Sequence, residues 1–168
     1  DRISLDFNER YKAKGKKFGF TRVGVNTGEA IVGNFGGSER FDYTAHGDPI
    51  NTAARMESVN KHLGTRLCIS GYTVAQCPDH FFRPVGALVL KGKTEGIEAF
   101  EPITEEESRS EQVLAYTEAF ELLHAEDPAA REKFAALRET YPDDPLVNLH
   151  WERIEEGILS STIVLAEK

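Results

Sequence analysis

Asn51 and Arg55 stand four residues apart in a stretch, 50–63, whose apolar positions Ile50, Ala53, Ala54, Met56, Val59 and Leu63 recur at helical spacing. Residues four apart share a helix face, so an amide and a guanidinium near one helix N-terminus can converge on a sugar and a phosphate. The positive end of the helix dipole adds to the arginine charge. Taken alone, Arg55 reads first as a surface ion pair with a neighbouring acid, and only its surroundings favour an anion. Lys91 follows an apolar run and so sits near a strand end, from which its ammonium could reach a phosphate as a point charge. Lys93 reads as its solvated neighbour. The five histidines, at positions 46, 62, 80, 124 and 150, show no metal-ligand spacing and no metal is assigned to any of them. Residues 33–37 are glycine-rich but lack the Lys and Ser/Thr of a P-loop, so turn geometry and close packing explain them better.

The elements that must position these groups divide at about residue 103. Residues 3–14 place Ile3, Phe7 and Tyr11 at helical spacing, with Gly15 to stop the helix. Residues 20–28 and 29–35 read as a β-hairpin, followed by a polar loop from Gly36 to Pro49 and the helix 50–63, ended by Gly64. Residues 66–70, 82–92 and 97–103 read as strands and 72–77 as a short helix. Strands and helices mix without a regular βαβ repeat, which favours α+β. Beyond Pro102 the period is helical: 105–125, 128–140 and 144–160 form three helices separated by proline- and aspartate-bearing breaks. Trp151 falls at core spacing there. The expected organisation is therefore 1–103 as a mixed unit and 104–168 as an acidic helical extension.

Charge supports that division. Residues 1–103 carry 14 Lys and Arg against 12 Asp and Glu, whereas residues 104–168 carry 6 against 16. The net charge of -8 argues against non-specific binding of nucleic acid or anionic membrane by the whole molecule. Its slightly basic front could still hold a phosphate. Among 168 residues, 40% are hydrophobic and 29% charged, a balance suited to one ordinary core rather than to long disorder. No apolar run approaches the ~18–20 residues of a membrane span. Cys68 and Cys77 are too few for a disulfide scaffold, and Cys68 lies in an apolar run where a buried thiol is expected, which points to a reducing compartment. The chain begins at Asp1 and its single Met is Met56, so either a trimmed natural start or a piece of a longer protein is expected.

The stretch 22–57, RVGVNTGEAIVGNFGGSERFDYTAHGDPINTAARME, resembles the class III adenylate and guanylate cyclases. The resemblance lies in Gly24-Val25-Asn26-Thr27-Gly28-Glu29 running to Val32-Gly33-Asn34, in 41–48, in Asn51-Thr52-Ala53-Ala54-Arg55-Met56-Glu57, and in Leu90-Lys91-Gly92-Lys93 closing on Phe100. These pieces follow the family's order and spacing across about residues 18–103. The resemblance implies a partial ferredoxin-like α+β cyclase domain. In it Asn51 orients the ribose, Arg55 stabilises the transition state and Lys91 meets the terminal phosphates of ATP. Thr44 matches the family's base-selecting position, where a hydroxyl can donate to or accept from an adenine edge; its alternative is a local turn bond. The implied reaction is in-line attack of the ribose 3′ oxygen on the α-phosphorus, giving 3′,5′-cyclic AMP and pyrophosphate.

The resemblance also implies what must come from elsewhere. The family's two metal-binding aspartates lie in the first half of its domain, so Mg²⁺ or Mn²⁺ is expected on ligands outside this chain, and Asp1 and Asp6 match neither position. In the family the site forms between two catalytic domains, so a homodimer of the complete domain is expected, as is a cytoplasmic location, free or as part of a membrane-anchored parent. Tyr116, Ala119, Leu123, Ala130, Phe134, Leu137 and Pro142 resemble one tetratricopeptide-type hairpin, although a single unit falls short of the roughly three that such a fold needs and a plain helical appendage docked on the front region reads better; a protein partner is an expected use of the tail. The rival is a non-catalytic module in which a cyclase-like scaffold senses nucleotide or binds protein.

Overall fold

A computed structural model describes residues 2–16, 19–37, 41–90 and 95–165. In chain order the elements are α1 (Arg2–Ala13), β1 (Val23–Val25), β2 (Ile31–Gly36), β3 (Phe41–His46), α2 (Asp48–Leu63), β4 (Leu67–Ser70), α3 (Gly71–Val74), β5 (Phe81–Val89) and β6 (Ile97–Ile103). The tail adds α4 (Glu105–Ser108), α5 (Glu111–His124), α6 (Ala129–Thr140), α7 (Pro145–Glu155) and β7 (Thr162–Val164). Five strands form one sheet in the order β1-β4-β6-β5-β7, and β2 with β3 form a separate antiparallel pair. The outer contacts β1–β4 and β5–β7 are parallel, while β4–β6 and β5–β6 are antiparallel. The fold is α+β.

Two of the sequence expectations are corrected by this topology. The stretches 20–28 and 29–35 do not fold back on each other: β1 pairs in parallel with β4, Gly24 facing Cys68, and β2 turns instead onto β3. The polar loop expected from Gly36 to Pro49 contains that strand, whose FDYTAH sequence carries the aromatic and β-branched residues of a pleated surface. The third difference lies in the tail. The single helix expected over 105–125 is two, because Thr104 closes a capping box with Glu107 and Ser110 caps a fresh helix by accepting from the Val113 amide. Residues 162–164, read as part of no element, form β7.

The core follows from two periodicities. Helix α2 buries Thr52, Met56, Val59, Asn60 and Leu63, a stripe of helical spacing; Ile50 and Ala54, expected on that face, stay exposed. Strand β5 buries Arg83 and Val85 and then Leu88, with Leu90 buried just beyond it, so the inward parity changes midway. A register shift between Pro84 and Gly86 is the cause: Val85 is left without a partner on β6, and one extra residue flips the side chains that follow. The irregularity frees backbone carbonyls that must be met elsewhere. Tyr116 of α5 donates its hydroxyl to Pro84 O at 2.9 Å, and His150 of α7 places Nε2 3.1 Å from Val85 O. The tail helices thus complete the β5 backbone, and their buried residues Tyr116, Phe134, Leu146 and Val147 join one core with Met56, Cys68, Val85 and Leu88. As expected, Cys68 is a buried free thiol, and burial pushes its pKa up to about 12.

An ion cluster ties the same faces together. Arg83 donates Nε to Glu101 at 2.7 Å and its two terminal nitrogens to Asp144 at 2.7 and 3.2 Å. Asp144 also accepts from Gln112 and from the Leu146 and Val147 amides, so one carboxylate both pairs Arg83 and caps α7. Burial alone would raise the Asp144 pKa, but the bonds from Arg83 outweigh it and hold the carboxyl below its ordinary value. At Glu101 burial wins over Arg83, and the pKa rises. The bidentate partner is therefore the stronger one.

His150 gives the fold a pH dependence. It is fully buried against the rings of Tyr116, Phe120 and Phe134. Burial first, and then the Arg153 charge, push its pKa down to about 3. A neutral ring fits both of its contacts, Nε2–H donating to Val85 O and Nδ1 accepting from Arg153 at 3.5 Å. Between about pH 6.5 and pH 3 the unfolded chain binds a proton that the folded chain does not, so His150 lowers stability as pH falls through that window and leaves it intact above. The melting temperature of the wild-type chain is expected to fall more steeply from pH 7.5 to 5 than that of His150→Gln. Parallel curves in thermal melts would show that this histidine is not the group responsible.

Candidate functional site

Strand β3, Gly47 and helix α2 make one continuous corner that carries three of the four expected site residues. Thr44 sits opposite Gly33 on the β2–β3 pair with its side chain exposed. The chain then turns at Gly47, with φ of 148°, and enters α2 with Pro49 in the first turn. Asn51 is exposed in that turn and Arg55, one turn on, is half-buried and already engaged by its surroundings. Four residues advance a helix by about 6 Å, so the amide and guanidinium are stacked along one face. Lys91 and Lys93 lie outside the described residues.

The corner is braced from the sheet. Asn60, fully buried, donates Nδ2 to Val23 O of β1 at 3.0 Å and accepts at 2.7 Å from Thr65. Gly24 of β1 lies against the backbone of α2: a Cβ there would stand 2.2 Å from Ala53 O and 2.3 Å from Glu57 N. Strand and helix therefore touch backbone to backbone, which no residue with a side chain permits. Sequence reasoning did not single out Asn60. An amide on the apolar face of a helix was the available signal, since a buried amide must find partners. His46 packs its ring on Phe35 at 4.2 Å.

Two hollows bear on the site. A shallow one of about 790 Å³, lined by Glu29, Ala30, Ile31, His46 and Gly47, opens at the foot of the β2–β3 pair beside the start of α2. Another, of about 550 Å³, lies between β6 and the tail and is lined by Arg83, Glu101, Gln112, Tyr141 and Asp144 among others. The second shares no residue with Thr44, Asn51 or Arg55, and its Arg83, Glu101 and Asp144 are already paired with one another. Among the described residues no group of three or more His, Cys, Asp or Glu side chains is placed to hold a metal ion. No helix among them is long and apolar enough to cross a membrane.

The family described as "Adenylate and Guanylate cyclase catalytic domain" matches residues 5–102. The chain is 43% identical over 98 residues to Adenylate cyclase 1 of Rhizobium meliloti, covering 58% of this chain and 15% of that protein. It is 32% identical over 103 residues to the adenylate cyclase of Anabaena cylindrica, covering 56% of this chain and 20% of that one. Among solved structures, the adenylyl cyclase CyaB from P. aeruginosa aligns with a TM-score of 0.55 and 28% identity, covering 62% of this chain and 53% of CyaB. The chain thus spans about half of that solved structure and a smaller part of the curated relatives. The family match stops at residue 102, before the tail. Through residues 5–102, this chain belongs to the adenylate and guanylate cyclase catalytic domain family.

Proposed function

We propose that the chain supplies the Asn51, Arg55, Thr44 and Lys91 half of an adenylate cyclase active site, converting ATP to 3′,5′-cyclic AMP and pyrophosphate. The observation that carries this is the corner 44–55, which presents an exposed hydroxyl and amide and a half-buried guanidinium on consecutive elements of a cyclase fold. The 3′ oxygen bonds to the α-phosphorus, the bond to pyrophosphate breaks, and the 3′ proton leaves. Asn51 fixes the ribose, so that the 3′ oxygen lies in line, and Arg55 meets the charge that grows on the phosphoryl oxygens. Lys91 holds the terminal phosphates. Mg²⁺ or Mn²⁺ would neutralise phosphate charge on ligands from outside this chain, since the family's metal-binding aspartates belong to the first half of its domain. The protein works in the cytoplasm, with ATP rather than nucleic acid as its partner.

Thr44 selects the base in this reading. Its hydroxyl can both donate and accept, whereas a carboxylate only accepts and so favours the N–H groups of guanine. Thr44→Asp is expected to shift the ratio of kcat/KM for ATP over GTP by about tenfold or more toward GTP. An unchanged ratio would remove Thr44 from base selection.

The complete catalytic domain functions as a homodimer in this reading. Two features support it: β1 has a strand partner on one side only among the described residues, and the β2–β3 pair leaves Ile31, Val32 and Tyr43 exposed at 72%, 58% and 76%. Concentration-dependent dimer in sedimentation velocity is expected, and a monomer at every concentration would contradict it. The acidic tail offers exposed Leu114 to a protein partner. The non-catalytic alternative, a nucleotide sensor on a cyclase scaffold, draws on the absence of the family's two metal-binding aspartates from this sequence and differs in a plain way: it yields no cyclic nucleotide from a completed domain.

A further inference from the structure

Residues 24, 26 and 28 all face α2, at the alternating spacing of an extended chain. Gly24 lies under Ala53 and Glu57, Asn26 donates Nδ2 to Pro49 O at 3.2 Å, and Gly28 lies under the Pro49 ring, where a Cβ would stand 2.5 Å from Cγ. The three together cradle the helix from its first turn to its third. The first turn needs such support. Gly47 gives it no side-chain cap, and the Ile50 and Asn51 amides reach Gly47 O at only 3.2 and 3.4 Å. Asn26 is thus the polar side chain that fixes the Pro49 backbone, two residues before Asn51.

The amide of Asn26 has one workable orientation. Turned over, its oxygen would face the Pro49 carbonyl and two acceptors would repel. As placed, Oδ1 is buried with no hydrogen-bond partner among the described residues. An unmet buried acceptor destabilises a fold. Asn60 and Gly24 already hold β1 to α2 without such a defect, so stability alone does not explain Asn26.

We infer that Asn26 is a positioning residue for Asn51 and Arg55, acting through Pro49 to set the register and direction of the first turns of α2. This rests on the active-site reading above. In a cyclase domain completed with its N-terminal half, Asn26→Asp keeps the shape but removes the donor, and Asn26→Ala removes both. Both are expected to lower kcat by up to about 10²-fold, the scale of a misplacement near 1 Å, with the KM for ATP within about threefold; the melting temperature should stay nearly unchanged in Asn26→Ala and fall in Asn26→Asp, whose carboxylate faces the Pro49 carbonyl. In the chain itself, hydrogen exchange should quicken at Ile50 and Asn51 and stay unchanged from Met56 to Leu63. A kcat within twofold of wild type with unaltered exchange at Ile50 and Asn51 would overturn the inference. So would a joint fall of kcat, affinity and melting temperature with exchange raised along the whole helix, the mark of a merely structural residue. If the wild-type completed domain makes no cyclic AMP, the active-site reading fails separately, and the exchange pattern alone decides whether Asn26 sets the first turn.

Discussion

Arg55→Ala, in a catalytic domain completed with its N-terminal half, is expected to lower kcat for cyclic AMP formation by about 10²–10³-fold, with the KM for ATP moving by no more than about threefold. The asymmetry follows from what a guanidinium on the second turn of α2 can do. Charge on the phosphoryl oxygens is greater in the transition state than in bound ATP, so a fixed cation there stabilises the former more. Asn51→Ala is expected to behave likewise, since misplacing the ribose delays attack without greatly weakening binding. The two should not add: both act on one reacting geometry, so the double variant is expected to lose little beyond the worse single one. Steady-state kinetics of the three variants decides this. A kcat unchanged in Arg55→Ala, or a loss confined to KM, would assign the arginine to ordinary binding or to the ion pair that Arg55 alone would suggest.

The largest effect on stability is expected at Arg83. Its guanidinium lies in the core between Glu101 and Asp144, and Asp144 is committed to the start of α7 as well. Arg83→Met preserves much of the side-chain volume but strands the buried Asp144 carboxylate and the half-buried Glu101 one. Breaking a buried pair in this way costs about 3–5 kcal/mol, which for a chain of this size lowers the melting temperature on the order of 10 °C. Chemical denaturation of the chain gives the test directly. A loss below about 1 kcal/mol would mean that the cluster is no stronger than a surface ion pair. A further outcome separates stability from function: the hollow around Arg83 shares nothing with the 44–55 corner, so at temperatures where the variant is folded its activity should match wild type.

The corner was legible in the sequence because its signals are local. Asn51 and Arg55 lie on one helix whose spacing announces it, and the helix observed, Asp48–Leu63, differs from 50–63 by two residues. Strands β4, β5 and β6 were legible for the same reason, in apolar runs bounded by turn residues. Pairing was not. The stretch 20–35 holds two β-prone runs around Asn26-Thr27-Gly28, the ordinary mark of a hairpin, yet Asn26 is spent on Pro49 and Gly28 on the ring beside it, so no turn forms there. A partner 44 residues away, Cys68 for Gly24, leaves no trace in local spacing. The face of α2 was misread in part because Thr52 and Asn60 are buried, and an amide satisfied by Val23 O and Thr65 is invisible to apolar periodicity.

The tail shows the same limit from another side. Its helices were legible as helices, but what they pack against was not. The irregularity at Val85 creates the need for Tyr116 and His150, and only the folded sheet reveals it. Strand β7 was missed because three residues are too few to show a period, and its pairing with Ala87, Leu88 and Val89 lies some 75 residues back along the chain. The outcome is a tail whose side chains share the core of the cyclase-type sheet.

The measurement that tests the central claim most directly is a cyclic-nucleotide assay with ATP and Mn²⁺, run on this chain alone, on the N-terminal half of the catalytic domain alone, and on the two mixed. Cyclic AMP from the mixture and from neither part is expected, with the product lost when Arg55→Ala is used. No product from a mixture shown to be folded and associated would contradict the account and leave the chain as a cyclase-like scaffold that binds without catalysing.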